Sequence, residues 1–150
     1  GRVSMSLDKV FDIAGSGMSA QSLRLNTVAS NIANAETVSS SVDETYRARN
    51  PVFATIFNSQ QATGGSLFSP DQQAGDGVSV LGIVESDATL EPRYEPDHPM
   101  ANEDGYVYYP NVNVVEEMAN MMSASRSYQT NVEVMNTAKT MLQRVLTLGQ

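Results

Sequence analysis

The sequence predicts an α+β fold, with a long helix at each end of the 150-residue chain and a small β-rich segment between them. Three observations carry this. All six prolines lie between Pro51 and Pro110, so the flanks are free to be helical while the middle must turn. Both flanks space their apolar residues alternately three and four apart, as a helix does when it lays a narrow stripe against a neighbour. The middle alternates short β-branched and aromatic runs with Gly, Pro and Ser. Residues 1–4 precede Met5 as a cloning remnant. Residues 5–45 then make an N-terminal helical arm, 46–110 a central β-rich domain and 111–150 a C-terminal helical arm.

In the first arm the stripe runs Phe11, Ala14, Met18, Gln21, Leu25, Val28, Ile32, Ala35, and seven of these eight are apolar. It predicts a helix over roughly residues 8–36, with Asp8 placed to cap its start. Gly15 and Gly17 fall inside this helix and cost about 1 kcal/mol each relative to alanine; they either bend it or admit a close neighbour. In the last arm the stripe is Val114, Met118, Met121, Ser125, Tyr128, Val132, Met135, Lys139, Leu142, Leu146. It predicts a helix over 112–147, about 50 Å long at 1.5 Å per residue, with Gly149 beyond its end as a left-handed cap.

Between the arms, Tyr46–Arg49 lead into a β-leaning run, Val52–Phe57, and Val78–Val84 is the next strand. Residues 58–77, rich in Gln, Ser and Gly, are expected to be a mobile loop. Pro92, Pro96 and Pro99 make residues 91–104 extended or turning, and Gly105–Tyr109 is a last short strand before Pro110.

The helices are poor in charge. Between Val10 and Ala35 only Asp12 and Arg24 are charged, and between Met118 and Gln150 only Arg126, Glu133, Lys139 and Arg144. The remaining positions hold Ser, Thr, Asn, Gln and Ala, whereas the exposed face of a soluble helix normally carries dense charge. Such helices expect other helices around them. Two arrangements satisfy this: a hairpin of the two helices within one chain, covering the sheet, or a coiled-coil-like assembly layer between subunits. For the second, the contact residues are Phe11, Met18, Leu25, Val28, Asn31, Ile32 and Asn34 on the N-terminal helix. On the C-terminal helix they are Val114, Met118, Met121, Tyr128, Val132, Met135, Leu142 and Leu146. Asn31 and Asn34 have two readings, as amides bonded to adjacent helices or as residues that cap and end their own.

Composition excludes several function classes. Formal net charge is -8, and residues 46–110 hold three arginines against nine acids, which phosphates of a nucleic acid would repel. The acidic middle also argues against a polybasic membrane-surface module. The chain has no cysteine, hence no disulfide, thiolate or cysteine-metal chemistry. No apolar run spans a bilayer, and no basic-then-apolar secretory signal opens the chain. His98, in Asp97-His98-Pro99, is the one histidine; with Glu95, Asp97 or Asp104 it is a poor metal candidate and better read as a turn residue. Glu116 and Glu117 open the C-terminal helix where its dipole favours acids. Gly64-Gly65 and Asp76-Gly77 mark turns and lack phosphate-loop spacing. Met118, Met121, Met122, Met135 and Met141 are adaptable packing residues. Tyr94, Tyr106, Tyr108 and Tyr109 have too few cations nearby to stack bases and are expected to cover the sheet or touch a neighbour. Neither a catalytic site nor a cofactor nor a small-molecule substrate emerges.

Three stretches resemble a known family. Ala29-Ser30-Asn31-Ile32-Ala33-Asn34-Ala35-Glu36-Thr37 is similar to the N-terminal signature of the flagellar rod and hook axial proteins. Tyr106–Pro110 followed by Asn111-Val112-Asn113-Val114-Val115-Glu116-Glu117-Met118, and then Ser123–Lys139 with the terminal Thr147-Leu148-Gly149-Gln150, resemble proximal-rod members of that family. The resemblance covers residues 7–37 and 91–150. It implies a structural subunit without enzymatic activity, stacked helically around a central channel with its terminal helices in a coiled-coil inner layer. It implies export by the flagellar type III apparatus, and partners among other copies of itself and the other rod proteins, in the rod within the periplasm. The remaining alternative is a non-enzymatic binding or adaptor module with helical arms in another secretion-related assembly. Many relatives follow the Asn-rich motif with a Pro-Gly-Tyr turn; Val38-Ser39-Ser40-Ser41 stands there instead.

Overall fold

The computed structural model describes residues 2–56 and 77–149, with side chains from Leu7 onward. Helix α1 spans Arg2–Ala33, strands β1 Arg49–Ile56, β2 Gly77–Glu85, β3 Glu91–Tyr94 and β4 Tyr106–Tyr109, and helix α2 Val114–Leu148. The fold is α+β, as the proline distribution predicts. Among the described residues the strands form two two-stranded sheets, β1 with β2 and β3 with β4. The loop expected at 58–77 lies outside the described residues except for Gly77, and so does Phe57.

Several boundaries differ from expectation. Helix α1 begins six residues before Asp8, which is therefore an interior residue and not a cap, and it ends at Ala33, leaving Ala35 in a turn. The helix stops because Asn34 closes it: both its backbone N–H and its side-chain Nδ2 donate to the Ser30 carbonyl, at 3.0 and 2.9 Å. Gly149 continues the helical pattern, its N–H donating to the Val145 carbonyl at 3.1 Å; the left-handed glycines among the described residues are Gly77 and Gly105. Helix α2 starts at a true cap. Asn113 Oδ1 accepts the Glu116 N–H at 3.2 Å, and Glu116 and Glu117 occupy the first turn, where acids oppose the exposed N–H groups.

A helix filled with hydroxyl residues must satisfy them, and here they bond back one turn. Thr27 donates to Leu23, Thr130 to Arg126, Thr140 to Asn136 and Thr147 to Gln143, all to backbone carbonyls at 2.8–3.0 Å. This is how helices with so little charge keep their polar groups bonded.

The chain forms two compact units, each discontinuous in sequence. The first comprises residues 1–22, 53–81 and 125–150; the second comprises 23–52 and 82–124. The first unit buries Leu7, Ala14, Ala20 and Ala138. There Ser16 Oγ accepts the Val78 N–H at 2.9 Å while donating to the Ile13 carbonyl, which seats the start of β2 on α1. Gly77 is needed at that contact, since its φ is +145° and a Cβ would lie 2.6 Å from Ser16 Oγ.

The second unit buries Val28, Ala48, Leu90, Val107 and Ala124 together with Thr27, Asn31, Ser39, Thr45 and Glu117. Its β3–β4 hairpin is antiparallel, Glu91 opposite Tyr109 and Tyr94 opposite Tyr106. The connection turns on Asn102, whose Oδ1 accepts the N–H groups of Asp104 and Tyr106 at 3.0 and 2.9 Å, and on Gly105 at φ +86° beneath the Tyr94 ring. On this hairpin the exposed Tyr94 and Tyr106 meet edge to face at 5.3 Å, and Arg93 lies 4.1 Å over the Tyr109 ring. His98 is a turn residue, its Nδ1 accepting the Met100 N–H at 3.0 Å. Where the Pro-Gly-Tyr turn is missing, Ser39 pairs with Tyr108 in a two-way backbone bridge.

Candidate assembly interface

The most densely bonded point of the second unit is Asn31, which is fully buried (0% exposed). Its amide has two donors and room for two acceptor bonds, and all four are used. Nδ2 donates to the Arg49 carbonyl at 2.8 Å and to Glu117 Oε2 at 3.0 Å. Oδ1 accepts the Tyr46 hydroxyl at 2.7 Å and the Arg49 N–H at 2.9 Å. Toward Arg49 the amide acts as a strand neighbour would, taking the N–H and the C=O of one residue. With the Tyr46 proton committed to Asn31, Ser30 Oγ donates to Tyr46 at 3.1 Å.

A second asparagine does the same for the next segment. Asn111 Oδ1 accepts the Ala48 N–H at 2.8 Å, and its Nδ2 donates to the carbonyls of Ser86 and Ala88 at 3.3 and 2.9 Å. Arg47 donates to the same two carbonyls. Side-chain amides and a guanidinium therefore take the backbone groups that a two-stranded ribbon leaves open.

Helices α1 and α2 run antiparallel in each unit. In the second unit Asn31 meets Glu117, and Arg24 donates to Asn120 Oδ1 at 3.4 Å. In the first unit a Cβ on Gly17 would lie 2.9–3.1 Å from the Asn131 amide, and one on Gly15 3.7 Å from Met135 Cε. Leu7 and Val10 face Thr130, Val134, Ala138 and Met141 across an apolar groove with Glu133 at its side.

The covered positions of α2 recur with alternate spacings of four and three: Glu117, Met121, Ala124, Tyr128, Asn131, Met135, Ala138, Leu142, each buried or half-buried. Those of α1 do likewise: Leu7, Val10, Ala14, Gly17, Gln21, Arg24, Val28, Asn31. The stripes read from apolar residues share Ala14, Gln21 and Val28 with the α1 set and Met121, Tyr128, Met135 and Leu142 with the α2 set. At the other positions they sit one residue further along the chain. Of the contact candidates, Val28 and Asn31 are buried inside the chain, and Asn34 caps α1. Phe11, Met18, Leu25 and Ile32 are half-buried, as are Val114, Met121, Tyr128, Val132, Met135 and Leu142. Met118 and Leu146 stand out at 53% and 64% exposed. Apolar periodicity did not find Glu117, Gly17, Arg24 or Asn131, because it counts only apolar side chains.

Part of the surface left outward on α2 is apolar. In the second unit Val115, Met118 and Met122 are exposed at successive spacings of three and four; in the first, Val145, Leu146 and Leu148 are exposed. Exposed apolar residues grouped along a helix are the kind of surface that partners cover.

Residues 11–38 match a family model described as flagella basal body rod protein. Residues 103–148 match one described as flagellar basal body rod FlgEFG protein C-terminal. Asn31 lies in the first and Glu117 in the second, so the two ends that meet in the fold are those of a flagellar basal-body rod protein. Over 146 residues the chain is 49% identical to the flagellar basal-body rod protein FlgC of Salmonella typhimurium, covering 97% of this chain and all of the relative. The same identity and coverage hold for FlgC of Escherichia coli O6:H1. FlgC of Borreliella burgdorferi is 37% identical over 153 residues, covering 97% and 99%. The chain belongs to the FlgC family of flagellar basal-body rod proteins; its role is structural, and it is not an enzyme.

Proposed function

We propose that this chain is a subunit of the proximal rod, which passes through the flagellar type III export apparatus and assembles in the periplasm, with further copies and with other rod proteins, into a hollow drive shaft. The terminal arms, residues 5–45 and 111–150, would carry the subunit contacts in a coiled-coil-like layer. The observation that carries this reading is the set of outward apolar residues on α2, with Met118 53% and Leu146 64% exposed, in a chain that matches FlgC along its length. A soluble monomer has no use for such a face; a subunit ringed by other helices does.

The test is complementation of a motile bacterium lacking its own FlgC. Met118→Asp and Leu146→Asp put a carboxylate where the proposed contact is dry, and an unpaired charge there is costly. Both variants are expected to abolish swimming and to be missing from purified basal bodies, although each is made and folds with normal helicity, because neither residue is covered within the chain. Normal swimming with either variant present in the rod would refute the assembly face.

A further inference from the structure

We propose that the buried Asn31–Glu117 pair decides which face of α2 turns toward α1, holding a more apolar face of α2 outward. Two stripes on this part of α2 compete for the inward place. One is Glu117, Met121, Ala124; the other is Met118, Met121, Ser125, reached by turning the helix through part of the 100° that separates neighbouring residues. Burial of apolar surface alone favours the second, since it covers a methionine in place of a carboxylate. The fold takes the first: Glu117 is 6% exposed, Ala124 is buried and Met118 is open.

The reason lies in the geometry at Asn31. Three of its four hydrogen bonds go to Tyr46 and to the two backbone groups of Arg49, which fixes the amide plane. The remaining N–H then points at one place, and Glu117 Oε2 occupies it at 3.0 Å. Turning Met118 inward would offer that buried N–H a thioether, leaving a donor without an adequate acceptor. Arg24 donating to Asn120 Oδ1 supports the same facing, two turns back along α1 and one turn on along α2. A polar pair in an otherwise apolar seam thus acts as a specificity device, selecting one packing among several that apolar side chains would accept. The inference stands on the fold and does not need the rod reading; that reading only supplies a use for the outward face.

Because the chain has no cysteine, Met118→Cys places a single thiol on the full-length protein, and its rate of modification by an aromatic disulfide reagent reports how open the position is. Glu117→Gln, whose side-chain oxygen still accepts from Asn31, is expected to leave that rate unchanged. Glu117→Lys removes the acceptor, and Asn31→Asp opposes Glu117 with a second carboxylate. Both are expected to slow modification at least threefold with the helical circular dichroism retained. A lysine beside the thiol would by itself raise reactivity, so slowing reports cover. An unchanged rate in both variants overturns the proposal. Loss of the helical signal in both overturns it too, since the pair would then be needed for stability and not for facing.

Discussion

The same two helices meet by different physics in the two units. In the second, contact is made through hydrogen bonds: a saturated asparagine, a buried glutamate and a guanidinium on an amide. In the first, it is made through shape. Gly17 leaves a hollow that the Asn131 amide fills, Gly15 lies beside Met135, and the buried side chains are Leu7 and three alanines. The two kinds of contact fail differently. A hydrogen-bonded joint loses its partners' bonds along with its own when one member is removed. A joint made by shape yields by small shifts, and its cost scales with the volume that has to move.

The largest expected effect follows from that asymmetry. Asn31→Leu keeps the branched heavy-atom skeleton of asparagine but strips bonds from Arg49 N–H, Arg49 C=O, the Tyr46 hydroxyl and Glu117. Each buried group left unpaired costs about 1–3 kcal/mol, though such losses do not simply add. A destabilisation of about 3–5 kcal/mol in urea unfolding is expected. A loss under about 1 kcal/mol would mean that Asn31 is no more critical than a residue packed by shape, and the contrast between the units would collapse.

Next in size is Gly77→Ala, in the unit held by shape. Its φ of +145° is strained for any residue with a side chain, and the new Cβ would meet Ser16 Oγ at 2.6 Å. About 2 kcal/mol of destabilisation is expected from the backbone conformation and the clash together. Ser16→Ala in the same chain should recover no more than the clash, because the dihedral strain remains and the Val78 N–H loses its acceptor. Full recovery would assign the whole effect to Ser16.

These sites mark the limit of what was legible in the sequence. The α+β class, both helices and the strands near residues 52, 78 and 105 follow from proline placement and apolar spacing, because those properties are local. Part of each inward stripe was also legible, since Ala14, Val28, Met121 and Met135 obey the apolar rule. The rest was not. Position 117 goes inward because Asn31 is there to meet it, and position 17 because Asn131 fills the space. Those facts belong to pairs 86 and 114 residues apart. A rule that scores single residues for hydrophobicity picks their apolar neighbours, Met118 and Met18, instead. Asn34 was legible as a helix-ending residue, since asparagine's own bonding suffices for that. Asn31, three residues earlier and of the same type, was legible as an amide bonded to an adjacent helix, but its particular partners were not, because they are set by strand β1 and helix α2.

The smallest effect compares two glycines in α1 that flank Ser16. In a helix interior glycine costs about 1 kcal/mol relative to alanine, so each substitution starts with that gain. At Gly15 nothing opposes it: the new methyl would lie 3.7 Å from Met135 Cε, an ordinary packing distance. Gly15→Ala should therefore stabilise by about 0.5–1 kcal/mol. At Gly17 the methyl would lie 2.9 Å from Asn131 Nδ2 and 3.1 Å from its Cγ. The amide is the far end of a side chain and can move, but it also donates to the Ser127 carbonyl at 2.9 Å. Moving it gives up a bond worth about 1 kcal/mol, which offsets the helix gain and leaves Gly17→Ala near neutral. Thermal melts of the two variants should then separate by about 1 kcal/mol. Asn131→Ala, which removes the obstructing amide, should restore the gain at Gly17 and leave that at Gly15 unchanged. Equal stabilisation by both glycine substitutions in the parent chain would show that α2 does not approach α1 closely at Gly17, and the shape-based joint of the first unit would lose its main support.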